Sequence, residues 1–458
     1  MIIFFGVLTA VFIPILIGWL SLSPFFLKRR MFFWEKVFVS YGLGFGILTL
    51  VMFYLSLLEI DFSPAVIVGG SLLVPMVILF FRSWLFPAKA NGPSEYKPVA
   101  SMYTWIEGLL VTFIIIAAGN MVFRTWTMAA EAWDSWAFWG FKAKIFFVEQ
   151  KVPFAKFADF RNVWGNWDYP QHVPLMGTWI FTWLNTWNDQ CSRIIYPLFH
   201  CGLAAGVYAF LRRRISRVLS LAAAFFILTL PGLVWTAVGT ISEPVLLFYY
   251  VLSFVFLLEW EQKEGQGWFI LSAIFAGFAV WTKNEGMVYA LFNGLVILLT
   301  AKQKGFRQII FDLIVYFLII GAIIGPWLAQ KNILGLENVL INRDILSRVG
   351  SVMDMAKRCR VGIDNIAYRI QLISYFNVTG MMFLFVSLIN FSKCLRRPYF
   401  YFIVNVLCQM VLILVLTVVI PGDMFLYDAS PRLLLTAAVI MLIYCAYISG
   451  TSAPDSPS

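Results

Sequence analysis

Apolar residues recur in long unbroken runs, separated by short polar stretches. A helix rises 1.5 Å per residue, so about 20 apolar residues cross a bilayer core. Barrel strands would instead show segments of about 10 residues with alternating polarity. The runs cover approximately 2–20, 37–58, 64–83, 103–123, 191–211, 217–238, 243–260, 267–282, 286–301, 309–329, 373–391, 399–420 and 431–449. They predict an all-α polytopic membrane protein with about 13 transmembrane helices. The least separated pair is divided only by Lys283-Asn284-Glu285, and the small, polar tail Thr451–Ser458 predicts disorder.

Composition agrees with the pattern. Hydrophobic residues make up 61% and charged residues 13%, against about 45–50% and about 25% in a soluble domain. A soluble enzyme, a disordered chain and a peripheral protein are thereby excluded. The net charge of +10 would suggest nucleic acid in a soluble protein. Here the cations gather in alternate short loops, for example Lys28-Arg29-Arg30, Arg212-Arg213-Arg214 and Lys302 to Arg307. The positive-inside rule explains that pattern without nucleic acid. It places the N-terminus outside and the C-terminus in the cytoplasm. The N-terminal run lacks a small-residue cleavage site after it, and reads as a retained helix.

Two long loops, about 124–190 and 330–371, then fall outside. The second is basic, which suits either an anionic substrate or a solvated surface. None of the six cysteines forms a CxxC pair. Cys191 and Cys359 both fall in outer loops, where a disulfide between them is one option.

The first outer loop opens with Trp133-Asp134-Ser135-Trp136-Ala137-Phe138-Trp139-Gly140-Phe141-Lys142-Ala143-Lys144. Its spacing predicts an amphipathic helix at the interface, where tryptophan is common. Asp134, set among indoles, needs a partner or a function. Lys142 and Lys144 follow about two turns later, and Lys142 is a candidate partner. The loop closes with Asp168-Tyr169-Pro170-Gln171-His172-Val173-Pro174, a proline-stiffened turn. His172 reads as a hydrogen-bonded interfacial residue, a metal ligand or an acid/base.

Glu243 in Gly239-Thr240-Ile241-Ser242-Glu243-Pro244 opens a helix, where its charge favours the dipole and capping is an alternative role. Lys283 and Glu285 occupy a turn at the same side. Asp423, Asp428 and Arg432 flank the last outer turn, and Arg432 begins an otherwise apolar helix. These ionisable residues gather at one membrane face. A transporter would place them nearer the midplane.

At these residues the chain resembles the GT-C superfamily of polyprenyl-phosphate-sugar-dependent glycosyltransferases. It is most similar to the bacterial branch resembling protein O-mannosyltransferases and the lipid A aminoarabinose transferase. The landmarks in family order are Asp134 after a membrane helix and the turn Tyr169 to Pro174. Glu243-Pro244, Thr282-Lys283-Asn284-Glu285-Gly286, Pro326-Trp327 and Pro431-Arg432-Leu433 follow. The resemblance spans roughly 103–449. It implies a GT-C-like transmembrane core there, with amphipathic helices in the first large periplasmic loop. Residues 1–102 form three extra N-terminal helices and a cytoplasmic loop, and 450–458 a tail. Three departures stand out. Relatives often carry an Asp-Glu pair where Asp134-Ser135 stands, a lysine precedes the proline in the aminoarabinose transferase where Tyr169 stands, and Glu243 replaces a more usual aspartate.

The resemblance implies a polyprenyl-phosphate-linked sugar donor and a lipid, glycan or protein acceptor, at the periplasmic face of a bacterial inner membrane. Transfer of one sugar with inversion is implied, with Asp134 as general base and Glu243 as the second carboxylate. Lys142, Lys144, Tyr169, His172, Lys283, Glu285 and Arg432 are then candidates for substrate binding. Asp168 and His172 are candidate ligands of a divalent metal ion. A lipid-linked-glycan flippase or secondary transporter, and a polymerase or ligase of lipid-linked glycans, are the alternative readings.

Overall fold

The computed structural model describes residues 2–22, 31–81, 104–157, 165–262, 265–300, 305–336, 352–420 and 429–451. Asp423, Asp428 and the loop cations Lys28 to Arg30 and Lys302 lie outside them. All described regular structure is helical. Each predicted apolar run is helical over its described residues, though 217–238 and 373–391 are each divided into shorter helices, and the chain is an all-α polytopic membrane protein. Among the described residues, eight helices are long and apolar enough to cross a bilayer, or nine if one bent pair counts as a span. Four more, Pro64–Phe80, Gln266–Thr282, Glu285–Leu299 and Thr379–Ile389, are apolar but shorter. The expected single helix over 217–238 is that bent pair, Arg217–Leu228 and Pro231–Val238, turned by 53°. Pro231 supplies the reason: it lacks a backbone donor and drives the residue before it out of the helical region.

The chain forms two compact units. The first comprises Met1–Lys97, Ala118–Ala209 and Thr236–Leu336; the second comprises Pro98–Ala117, Phe210–Trp235 and Glu337–Ser458.

In the first unit the helices Ile2–Leu22 and Phe33–Leu57 meet backbone to backbone. A Cβ on Gly18 would strike the Ser40 carbonyl, and one on Gly44 the Pro14 carbonyl. Only small residues permit that approach, which replaces the hydrophobic drive missing in lipid. The helix Glu243–Glu261 is the buried axis of the unit. Beside it Asn293 Nδ2 donates to Ser253 Oγ at 2.8 Å and to Tyr316 OH at 3.0 Å. Ser253 and Ser272 hydroxyls each donate to the other's carbonyl at 2.7 Å. Such polar groups need internal partners because the membrane supplies none.

In the second unit the apolar helix Ser430–Gly450 is largely buried and packs on Tyr399–Val419, Thr379–Ile389 and Arg217–Leu228. The strongly amphipathic helix Val352–Ile370 also packs on Tyr399–Val419. There Arg358 Nη1 donates to the Val418 carbonyl at 2.8 Å. All six cysteines are thiols, so Cys191 and Cys359 are not joined.

Candidate active site

Four helix ends of the first unit gather the ionisable residues. They are the starts of Glu243–Glu261 and Glu285–Leu299, and the ends of Gln266–Thr282 and Phe306–Ile333. The hairpin residues Lys283-Asn284-Glu285 hold the group together. Lys283 Nζ lies 2.9 Å from Glu243 Oε1 and 3.2 Å from Glu285 Oε1. Glu243 is buried and Lys283 nearly so. The ammonium thus stands between two carboxylates, where a bridging cation would stand. Gly286 makes this hairpin possible, because a Cβ there would collide with the backbone of Ala279.

The middle residue of the hairpin reaches a second cluster. Asn284 Nδ2 donates to Asp168 Oδ2 at 3.2 Å, and Lys331 Nζ lies 3.7 Å from the same oxygen. Burial raises the Asp168 pKa, and the charges of Lys331 and Lys142 pull it back. The hairpin therefore fixes the closing turn of the first large loop against the helix ends.

The opening of that loop is also tied down. Asp134–Gly140 is a π-helical turn that runs into the α-helix Phe141–Val148. Ser135 Oγ is hydrogen-bonded to Thr240 Oγ1. Thr240 has φ 56°, a left-handed backbone that is rare for a β-branched residue. It stands three residues before Glu243. Asp134, half-buried, is thereby held next to the chain segment that carries Glu243. A π-turn and a strained threonine in contact are features that concentrate at functional sites.

Lys142 differs from its expected role. It is fully buried, donates to the Asn166 carbonyl at 2.6 Å and lies 5.2 Å from the Trp167 ring centroid. It pairs with the closing turn instead of with Asp134. The physical reason is distance: eight residues of helix rise about 12 Å, and only residues three or four apart are neighbours on a helix surface. Lys144 instead lies 3.9 Å above the Trp187 ring. Tyr169 packs edge-on against Trp139, at 6.0 Å between centroids.

His172 begins the helix His172–Leu184 and is fully buried. Its Nδ1 is 2.7 Å from Thr49 Oγ1 and its Nε2 is 3.2 Å from Tyr249 OH. Burial lowers its pKa to about 3, so the ring is neutral. Both nitrogens and the Asp168 oxygen have separate protein partners. Among the described residues, no group of three His, Cys, Asp or Glu residues could hold a metal ion. Arg432 lies in the last helix of the second unit, at its first turn. Sequence reasoning missed Arg193, Thr240 and Asn284 as individual site residues. The polar stretch Asp189 to Arg193 was the available signal for the first.

The buried Lys142 gives a pH test. Burial lowers its pKa from 10.5 to about 7, against the pull of Asp168. Between those values the unfolded chain binds more protons than the folded one, so stability rises with pH. Relative to Lys142→Met, wild type gains about 2 kcal/mol of stability from pH 7 to pH 9. Parallel pH dependences in thermal unfolding would show that Lys142 titrates normally.

Residues 172–329 match the family model described as dolichyl-phosphate-mannose-protein mannosyltransferase. The matched segment contains Glu243, Lys283, Asn284 and Glu285. It supports a GT-C-type glycosyltransferase. No curated protein and no solved structure matches the chain.

Proposed function

We propose, from the premise of a GT-C-type glycosyltransferase, that the chain moves one sugar from a polyprenyl-phosphate donor to an acceptor hydroxyl at the periplasmic face of the inner membrane. The observation that supports this reading is the Ser135–Thr240 bond, which ties the Asp134 turn to the chain segment that leads into Glu243.

In the proposed step Asp134 accepts the acceptor's hydroxyl proton. The freed oxygen attacks the anomeric carbon from the side opposite the phosphate. The carbon–oxygen bond to phosphate breaks, its electron pair leaves with polyprenyl phosphate, and the anomeric centre inverts. Glu243 orients the acceptor. Lys283 supplies positive charge toward the leaving phosphate, held in place by Glu243 and Glu285. Because its ammonium already bridges those carboxylates, we propose that turnover needs no divalent ion at that position.

The test is turnover in nanodiscs with a panel of polyprenyl-phosphate monosaccharides, with and without chelator. Release of polyprenyl phosphate together with a glycosylated acceptor supports the reading. Intact donor recovered on the opposite leaflet supports a flippase instead.

A further inference from the structure

A cavity of about 270 Å³ lies against the π-turn. Its walls include Ser135, Trp136, Trp139, Lys144, Trp187 and Arg193. Two hydrogen-bond donors among them are buried without an acceptor in the described residues, Arg193 Nε and Trp139 Nε1. Arg193 is 7% exposed and Trp139 4%. A buried donor left unpaired costs about 1–3 kcal/mol, and a ligand in the cavity that draws these two side chains onto its acceptors would relieve that cost.

The charge has the matching sign. Arg193 Nη1 donates to the Met128 carbonyl, and Nη2 lies 3.7 Å from Asp189 Oδ2. That aspartate is 57% exposed, so water weakens its hold on the guanidinium. Lys144 adds a second cation over the Trp187 face. Two cations oppose one solvated carboxylate. The indoles supply flat apolar walls, which suit the C–H faces of a sugar ring. The volume lies near the lower bound of small-molecule sites, about 300–1,000 Å³, which suits one sugar unit.

We infer that this cavity is the acceptor subsite and binds a sugar unit carrying one anionic group, a carboxylate or a phosphate. Ser135 on its wall follows Asp134 directly, so a unit bound there presents a neighbouring hydroxyl to the base. The inference deepens the glycosyltransferase reading and rests on it, but its test measures binding alone.

Full-length protein in detergent is titrated with glucuronic acid, glucose 6-phosphate, glucose and inorganic phosphate, read by ligand-observed NMR. At least one anionic sugar binds, roughly tenfold or more tighter than glucose and than inorganic phosphate, as one charged hydrogen bond provides. Whichever of the two binds identifies the anionic group. Trp139→Phe, which keeps an aromatic face and removes the N–H, weakens that binding roughly tenfold; Arg193→Lys does the same. Polyprenyl phosphate binding is unchanged in both. If Arg193→Lys does not fold, Trp139→Phe carries the test alone. Glucose or inorganic phosphate binding as tightly as the anionic sugars overturns the inference, and so does unaltered binding in Trp139→Phe. Sugar binding that depends on these donors in a protein without transferase turnover keeps the subsite and removes the enzyme reading.

Discussion

Asp134→Asn lowers sugar transfer by about 10²–10⁴-fold, the usual contribution of a positioned general base. The substitution preserves shape and keeps one carbonyl acceptor, so the π-turn and the Ser135–Thr240 link persist. What disappears is the proposed proton acceptor for the new glycosidic bond. Donor binding is accordingly unchanged, and the loss falls in kcat. The alternative is that Asp134 only anchors the turn. In that case asparagine, which hydrogen-bonds in the same place, retains most of the activity. Steady-state kinetics on protein with an unshifted unfolding temperature separates the two.

Lys283→Met has the largest expected effect on stability. It leaves Glu243, with a side chain only 3% exposed, facing Glu285 without the ammonium 2.9 and 3.2 Å away. Removing one partner of a buried ion pair costs about 3–5 kcal/mol, because the remaining carboxylate stays desolvated after losing that ammonium. Glu243→Gln is milder, since Lys283 keeps Glu285. The double variant Lys283→Met/Glu243→Gln recovers part of the lost stability, as one buried charge is gone. Unfolding temperatures of the three variants test this. A single Lys283→Met variant as stable as wild type would mean that the pair does not form.

The membrane helices were legible because each apolar run alone carries the signal. The hairpin at Lys283 to Glu285 was legible too, as three polar residues between two such runs. Where the sequence spoke less clearly, tertiary structure decided. His172 and Lys142 are polar residues in the first long loop, and nothing local shows that both are fully buried. His172 bonds Thr49 and Tyr249, residues 123 and 77 positions away. A Lys142–Asp134 pairing spans two helical turns, farther than neighbouring side chains on one helix reach. Arg193 was hidden for a different reason: it stands at the edge of an apolar run, where a cation reads as a helix boundary.

The central claim is that this chain makes a glycosidic bond. The most direct measurement is mass spectrometry of envelope glycans from cells expressing wild type or Asp134→Asn at matched protein levels. The account predicts that the variant loses one discrete sugar mass from a glycan, lipid or protein while the corresponding polyprenyl-phosphate sugar accumulates. An unchanged glycan profile with an unchanged donor pool would contradict it.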